Sequence, residues 1–226
     1  HIPMLTQGPD INLSTDGLTP KQLIDVGKKL TYYSPFIIPF SYSSPFYQGK
    51  VWSGLSARTF YRTGARPAAM VFLEHEADLI DSCPSLTQIA RVPAEVGRIE
   101  FKAFDSCGDF DRYASLSALL KGLIIDQTLS ERLLVPDAQR HQRSAQFGFM
   151  DDAIYEGAVS AIAAAKAALR QTGQLSDCAL LQPLEEELQQ RTSPAQKMIN
   201  AYRKGMSINQ ILQQGYKHTK IALQSA

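Results

Sequence analysis

The chain has 226 residues, 44% of them hydrophobic and 20% charged, an ordinary globular composition that excludes a disordered chain or a coiled coil. Its formal net charge of +1 supplies no general pull towards nucleic acid or an anionic membrane. The three cysteines, Cys83, Cys107 and Cys178, form neither a metal-type pair nor an even disulfide set, which predicts a reducing, cytoplasmic setting.

No apolar run approaches the ~20 residues that span a bilayer, so no membrane partner is expected. The opening HIPMLTQGPD has neither the basic region nor the apolar stretch of a signal peptide. Its start on His predicts a processed piece or an excerpt of a longer protein.

Residues 1–18 read as irregular chain or a short strand. Thr19-Pro20 then makes a helix start, because Thr can accept from a free amide and Pro suits the first turn. Leu23, Val26, Leu30, Tyr33, Ile37 and Phe40 recur at close to helical period. Pro35 and Pro39 are expected to kink or end that helix, since each removes a donor. Residues 41–67, rich in Ser, Gly and aromatics, show no sustained period and predict a long functional connection. AAMVFL (68–73) reads as a buried strand, EHEADLIDS as the start of a polar helix, and GRIEFKAFD (97–105) as the clearest strand. Asp109 or Asp111 should cap an amphipathic helix carrying Leu116, Leu119, Leu120, Leu123 and Ile124. Helices are predicted at 151–171, 175–191, 194–204 and 208–224, with Ser193-Pro194 and Ser207 as starts. The order predicts an α+β fold, with an α+β part over 1–150 and a helical segment over 151–226 packed on it.

In GRIEFKAFD, Arg98, Glu100 and Lys102 share one face. A carboxylate between two cations can hold a divalent metal while the cations meet phosphate. By itself, the strand fits a solvated antiparallel face with cross-strand ion pairs better. Arg58, Arg62 and Arg66 stand at fixed spacing among Ser43, Ser44, Gly54 and Ser56, a setting for carboxylate or phosphate capture. His1, His75, His141 and His218 lie far apart, without zinc spacing. No Walker-type loop and no GxSxG elbow is present. From Pro194 to Ala226 the chain is basic without an acidic residue, and its helix–Gly–helix rhythm admits a helix-turn-helix-like nucleic-acid module. Near-neutral overall charge makes ordinary helix packing the better reading of that tail.

Ser43-Ser44-Pro45, Gly49, Ser56 and Arg58, followed by Gly97, Glu100 and Asp105 and then Asp111-Arg112, resemble in order and separation the glutamate–cysteine ligase family, in its bacterial carboxylate–amine ligase branch. The likeness covers about residues 20–160. It implies a glutamine synthetase-like fold, an antiparallel sheet forming a trough with helices on its outer face. It also implies ATP-dependent amide formation through a γ-glutamyl phosphate, joining glutamate to cysteine as in glutathione biosynthesis, or to another amine. ATP and Mg2+ are the implied cofactors. Glu100 is the implied metal ligand, Arg58 and Lys102 the catalytic cations, and Ser44, Arg58, Arg66 and Lys102 the ATP, phosphate or substrate contacts. Lys102 stands where the family commonly has Arg, which keeps the charge and loses the bidentate fork. The family's earlier acidic strands and an H-x-H stretch have no counterpart here. The expectation is a C-terminal portion whose site is completed by a missing N-terminal half, in cis or as a separate chain, with a homo-oligomer also open.

Overall fold

The computed structural model describes residues 8–15, 17–62, 67–79 and 82–214. Strand β1 (Ile11–Ser14) leads to helix α1 (Pro20–Ile37). The Thr19 hydroxyl accepts from the Gln22 amide, and the Gln22 side chain accepts from the Thr19 amide, so a full capping box sets the helix start.

Helix α1 does not stop at Pro35; it continues to Ile37 and tightens into a 3-10 turn over Ile38–Ser41. Each proline orphans the carbonyl four residues earlier. Ser34 Oγ lies 2.8 Å from the Thr31 carbonyl, and Ser144 Oγ donates to the Pro35 carbonyl at 2.6 Å. Serine hydroxyls thus lie within hydrogen-bond distance of both carbonyls; the α-helix passes Pro35 and, as expected of a residue that cannot continue it, ends before Pro39.

The long Ser/Gly/aromatic connection is organised. Strands β2 (Phe46–Tyr47) and β3 (Lys50–Val51) form a hairpin. Gln48 and Gly49 both have positive φ, 50° and 74°, the pattern of a type I′ turn. Helix α2 (Ala57–Arg62) follows.

Strand β4 (Ala69–Leu73) falls where AAMVFL predicts one. The expected polar helix after it is one 3-10 turn over Glu76–Leu79. Strands β5 (Thr87–Ile89) and β6 (Arg98–Phe101) complete a sheet of order β1-β6-β4-β5. β6 is antiparallel to both neighbours, while β4 and β5 run parallel. The sheet is therefore mixed rather than purely antiparallel. Residues 74–86 are long enough for the crossover that a parallel pair needs.

Helix α3 (Phe110–Ile125) is capped by Asp109, which accepts from the amides of Asp111 and Arg112. Helix α4 (Ala138–Phe147), capped by Asp137, lies where sequence reading assigned no element. Helix α5 (Asp152–Gln171) packs on α3 and α1. The helix expected over 175–191 is two, α6 (Leu175–Ala179) and α7 (Gln182–Gln189). Pro183 lacks the amide that would continue α6. Helix α8 (Pro194–Arg203) is capped by Ser193, and residues 208–214 are helical beyond it. The rest of the last predicted helix lies outside the described residues.

One apolar core joins Val71, Ile99 and Phe101 of the sheet to Leu30 of α1, Leu119 of α3 and Ala161 of α5. The fold is α+β, with helices on one face of a small sheet. The other face carries Arg98, Glu100 and, just past the strand, Lys102.

Candidate functional site

The charged face is not simply wet. Glu100 stands opposite Asn12 of β1 and Met70 of β4 and is only 8% exposed. Its carboxylate meets Lys102 Nζ at 3.0 Å, and Asp10 lies 4.0 Å from the same ammonium. Arg98 turns elsewhere: its guanidinium sits 3.9 Å over the Phe72 ring and pairs with Glu95.

Beyond the strand the chain reaches Asp105, which is fully buried. A buried carboxylate is costly unless donors surround it. A bridge between Ser44 and Ser56 draws two loop segments together around it. One Asp105 oxygen accepts from the Ser43 amide at 3.1 Å and Ser44 Oγ at 2.8 Å. The other accepts from Ser56 Oγ at 3.1 Å and the Arg58 guanidinium at 3.4 Å. Asp105 also donates its amide to Ser41 Oγ at 3.0 Å. Arg58 further donates to the Ala103 and Lys102 carbonyls at 3.1 and 3.2 Å, tying α2 to the end of β6. Its terminal nitrogens are thus committed to protein, and its buried Nε has no hydrogen-bond partner among the described residues.

Beside this knot lies a cavity of about 40 Å3, bounded by Arg58, Thr59 and Arg62 of α2, Lys102, Ile38 and His141. One water needs roughly 10–15 Å3 of such space, so the cavity has room for a few waters or one phosphoryl-sized group. Burial holds the His141 imidazole down to about pKa 4, so it is neutral at pH 7. Its Nδ1 donates to the Asp137 carbonyl at 2.8 Å, which leaves Nε2 to accept from Ser34 Oγ at 2.9 Å. Ser34 therefore has one proton for two acceptors, Nε2 and the Thr31 carbonyl. Arg58, Arg62 and Lys102 line the cavity, Arg58 paired with Asp105 and Lys102 with Glu100.

The structure thus joins Ser44, Arg58 and Lys102 in one region, with Glu100 attached through Lys102. Arg66 lies outside the described residues. Arg112 belongs to another network: it holds Glu187 bidentately at 2.7 and 2.7 Å, and Lys197 meets the same carboxylate at 2.7 Å. This triad ties α3 to α7 and α8, and engages one cation of the basic tail. Sequence reading matched Asp105 without giving it a role and set His141 aside. No local pattern marked Asp105, whose hydroxyl donors Ser44 and Ser56 stand 61 and 49 positions earlier; for His141, only the Asp137 cap pointed to a helix.

Among the described residues no cluster of three or more His, Cys, Asp or Glu could hold a metal by itself. Mg2+ is commonly held by one or two carboxylates plus substrate phosphates. Glu100, the carboxylate that the resemblance assigns to this role, is ion-paired with the cavity-lining Lys102 and is not itself among the lining residues, so it could ligate a metal only by exchanging that contact. No helix among the described residues is long and apolar enough to cross a membrane. No protein-family model matches the chain, and no curated protein matches it in sequence.

Proposed function

We propose that the chain forms the phosphate-facing part of an ATP-dependent carboxylate–amine ligase of the glutamate–cysteine ligase type. One observation carries this reading. Ser44, Ser56, Arg58 and Asp105, spread along the sequence, meet in one buried knot at the end of the strand that bears Glu100. A phosphoryl-sized cavity with three cations opens beside it.

In the proposed reaction a carboxylate oxygen attacks the terminal phosphorus of ATP, and ADP leaves with the bonding pair. An amine then attacks the acyl carbon, the C–O bond to phosphate breaks, and the nitrogen loses a proton. Charge crowds onto the transferred group, and fixed cations in a confined site offset it. Arg62 and Lys102 act at the phosphoryl oxygens. Arg58, spent on Asp105 and two carbonyls, positions α2 against the strand end. Mg2+, held by Glu100 and the phosphates, would supply further charge neutralisation.

The test is ADP release by the full encoded protein with ATP and glutamate, and its stimulation by cysteine. Lys102→Met should lower turnover at least tenfold, compared at a temperature where both proteins are folded, since the variant also leaves the buried Glu100 without its ion-pair partner. Turnover equal to wild type removes Lys102 from the site. Glutamate-dependent ADP release stimulated by another amine, and not by cysteine, assigns a different acceptor on the same scaffold.

A further inference from the structure

His141 lines the same cavity as Arg58, Arg62 and Lys102, yet the reaction proposed above gives it no task. No carboxylate stands among the described residues of that lining. The buried Nε of Arg58 has no acceptor among the described residues either. An oxyanion supplies what such a wall lacks.

The hydrogen bonds around the imidazole suit two protonation states. In both, Nδ1 donates to the Asp137 carbonyl at 2.8 Å. In the neutral ring Nε2 accepts from Ser34 Oγ at 2.9 Å, and the Thr31 carbonyl, 2.8 Å from the same hydroxyl, goes without that proton. When a proton from solvent adds to Nε2, the new N–H donates to Ser34 Oγ, and the hydroxyl turns to Thr31. Each donor then has an acceptor, and no heavy atom needs to move.

Burial is the largest obstacle to that proton. Arg58 and Arg62 of α2, with Lys102, add like charge at the cavity, whereas α1 presents the uncharged Ser34 and Ile38. On its own helix Asp137 favours the proton and Arg140 opposes it, and these two pair with each other at 3.7 Å. A divalent anion in the cavity changes the balance, because an opposite charge within about 4–6 Å favours the charged ring.

We propose that a divalent oxyanion binds this cavity together with one proton, which His141 Nε2 takes from solvent as the Ser34 hydroxyl turns to Thr31. This rests on the phosphate-binding part of the ligase reading and adds a proton-coupled contact to it, whether or not phosphoryl transfer follows.

Sulfate is the probe, since it stays divalent across the range used. The full encoded protein is titrated calorimetrically at several pH values where it is folded. If the anion restores the ordinary imidazole value of 6.5 from about 4, affinity should rise roughly 20-fold between pH 7 and 5. Near pH 5.5, two buffers of different ionisation enthalpy should show about one proton taken up per sulfate. In 15N spectra one histidine ring should pass from the neutral to the doubly protonated pattern as sulfate is added. His141→Gln should bind sulfate as wild type does at pH 7 and lose the rise; should it not fold, the proton count and the ring spectrum on wild type decide. Sulfate binding without proton uptake, or with every histidine ring unchanged, overturns the coupling and leaves the ligase reading standing. Uptake that persists in His141→Gln overturns it too, since another group then carries the proton. Absence of sulfate binding with glutamate-dependent ADP release intact overturns the coupling alone; absence of both removes the ligase reading with it.

Discussion

The neutral, buried His141 makes stability depend on pH in a window the structure defines. Its imidazole is 2% exposed, and burial lowers its pKa from the usual 6.5 to about 4. Between those values the unfolded chain binds a proton that the folded protein refuses. Stability from this residue is therefore complete above pH 6.5 and is lost as pH falls towards 4. At 1.36 kcal/mol per unit the shift amounts to roughly 3 kcal/mol, with a steepest slope of about 1.4 kcal/mol per pH unit. Urea unfolding at several pH values from 7 to 4, on wild type and His141→Gln, measures it. The variant is less stable at pH 7, because it loses the ring that spans Ser34 and Asp137. As pH falls, the gap between the two should close by about 3 kcal/mol. Curves that stay parallel from pH 7 to 4 would refute a buried neutral imidazole here.

Asp105→Asn leaves the Arg58 guanidinium without its buried counter-ion and replaces an acceptor oxygen by a donor facing serine hydroxyls. Breaking a buried pair from one side costs about 3–5 kcal/mol, read as a lower urea midpoint; a change below about 0.5 kcal/mol, the size of an ordinary surface substitution, would mean the knot is not formed. Gly122→Ala places a Cβ 2.7 Å from both the Ala165 carbonyl oxygen and its Cβ, across the α3–α5 contact. Helix separation must then increase, at about 1–3 kcal/mol; a thermal midpoint equal to or above wild type would contradict that close approach.

Much of the local structure was legible before any coordinates. The Thr19 and Ser193 caps, a cap at Asp109 or Asp111 and the apolar stripe of α3 rest on residues a few positions apart; all are present, with Asp109 as the α3 cap and Gln22 completing a box at Thr19. Helix α4 escaped notice because its sequence AQRHQRSAQF buries His141, Ser144 and Ala145 rather than an apolar row. Pro35 was expected to disturb α1, and the hydroxyl serving the next orphaned carbonyl comes from Ser144, more than a hundred residues away. The parallel β4–β5 pair likewise depends on a crossover that no alternation pattern records.

For the candidate site the division is similar. Sequence alone determined that Arg98, Glu100 and Lys102 leave one strand on one side, because a pleated strand alternates its side chains with period two. It could not decide that Arg98 stacks on Phe72, that Glu100 is buried against Lys102, or that Asp105 gathers Ser44, Ser56 and Arg58. A charged side chain's direction is set by its own backbone. Its role is set by donors and rings from distant segments, and only tertiary packing brings those within hydrogen-bond range.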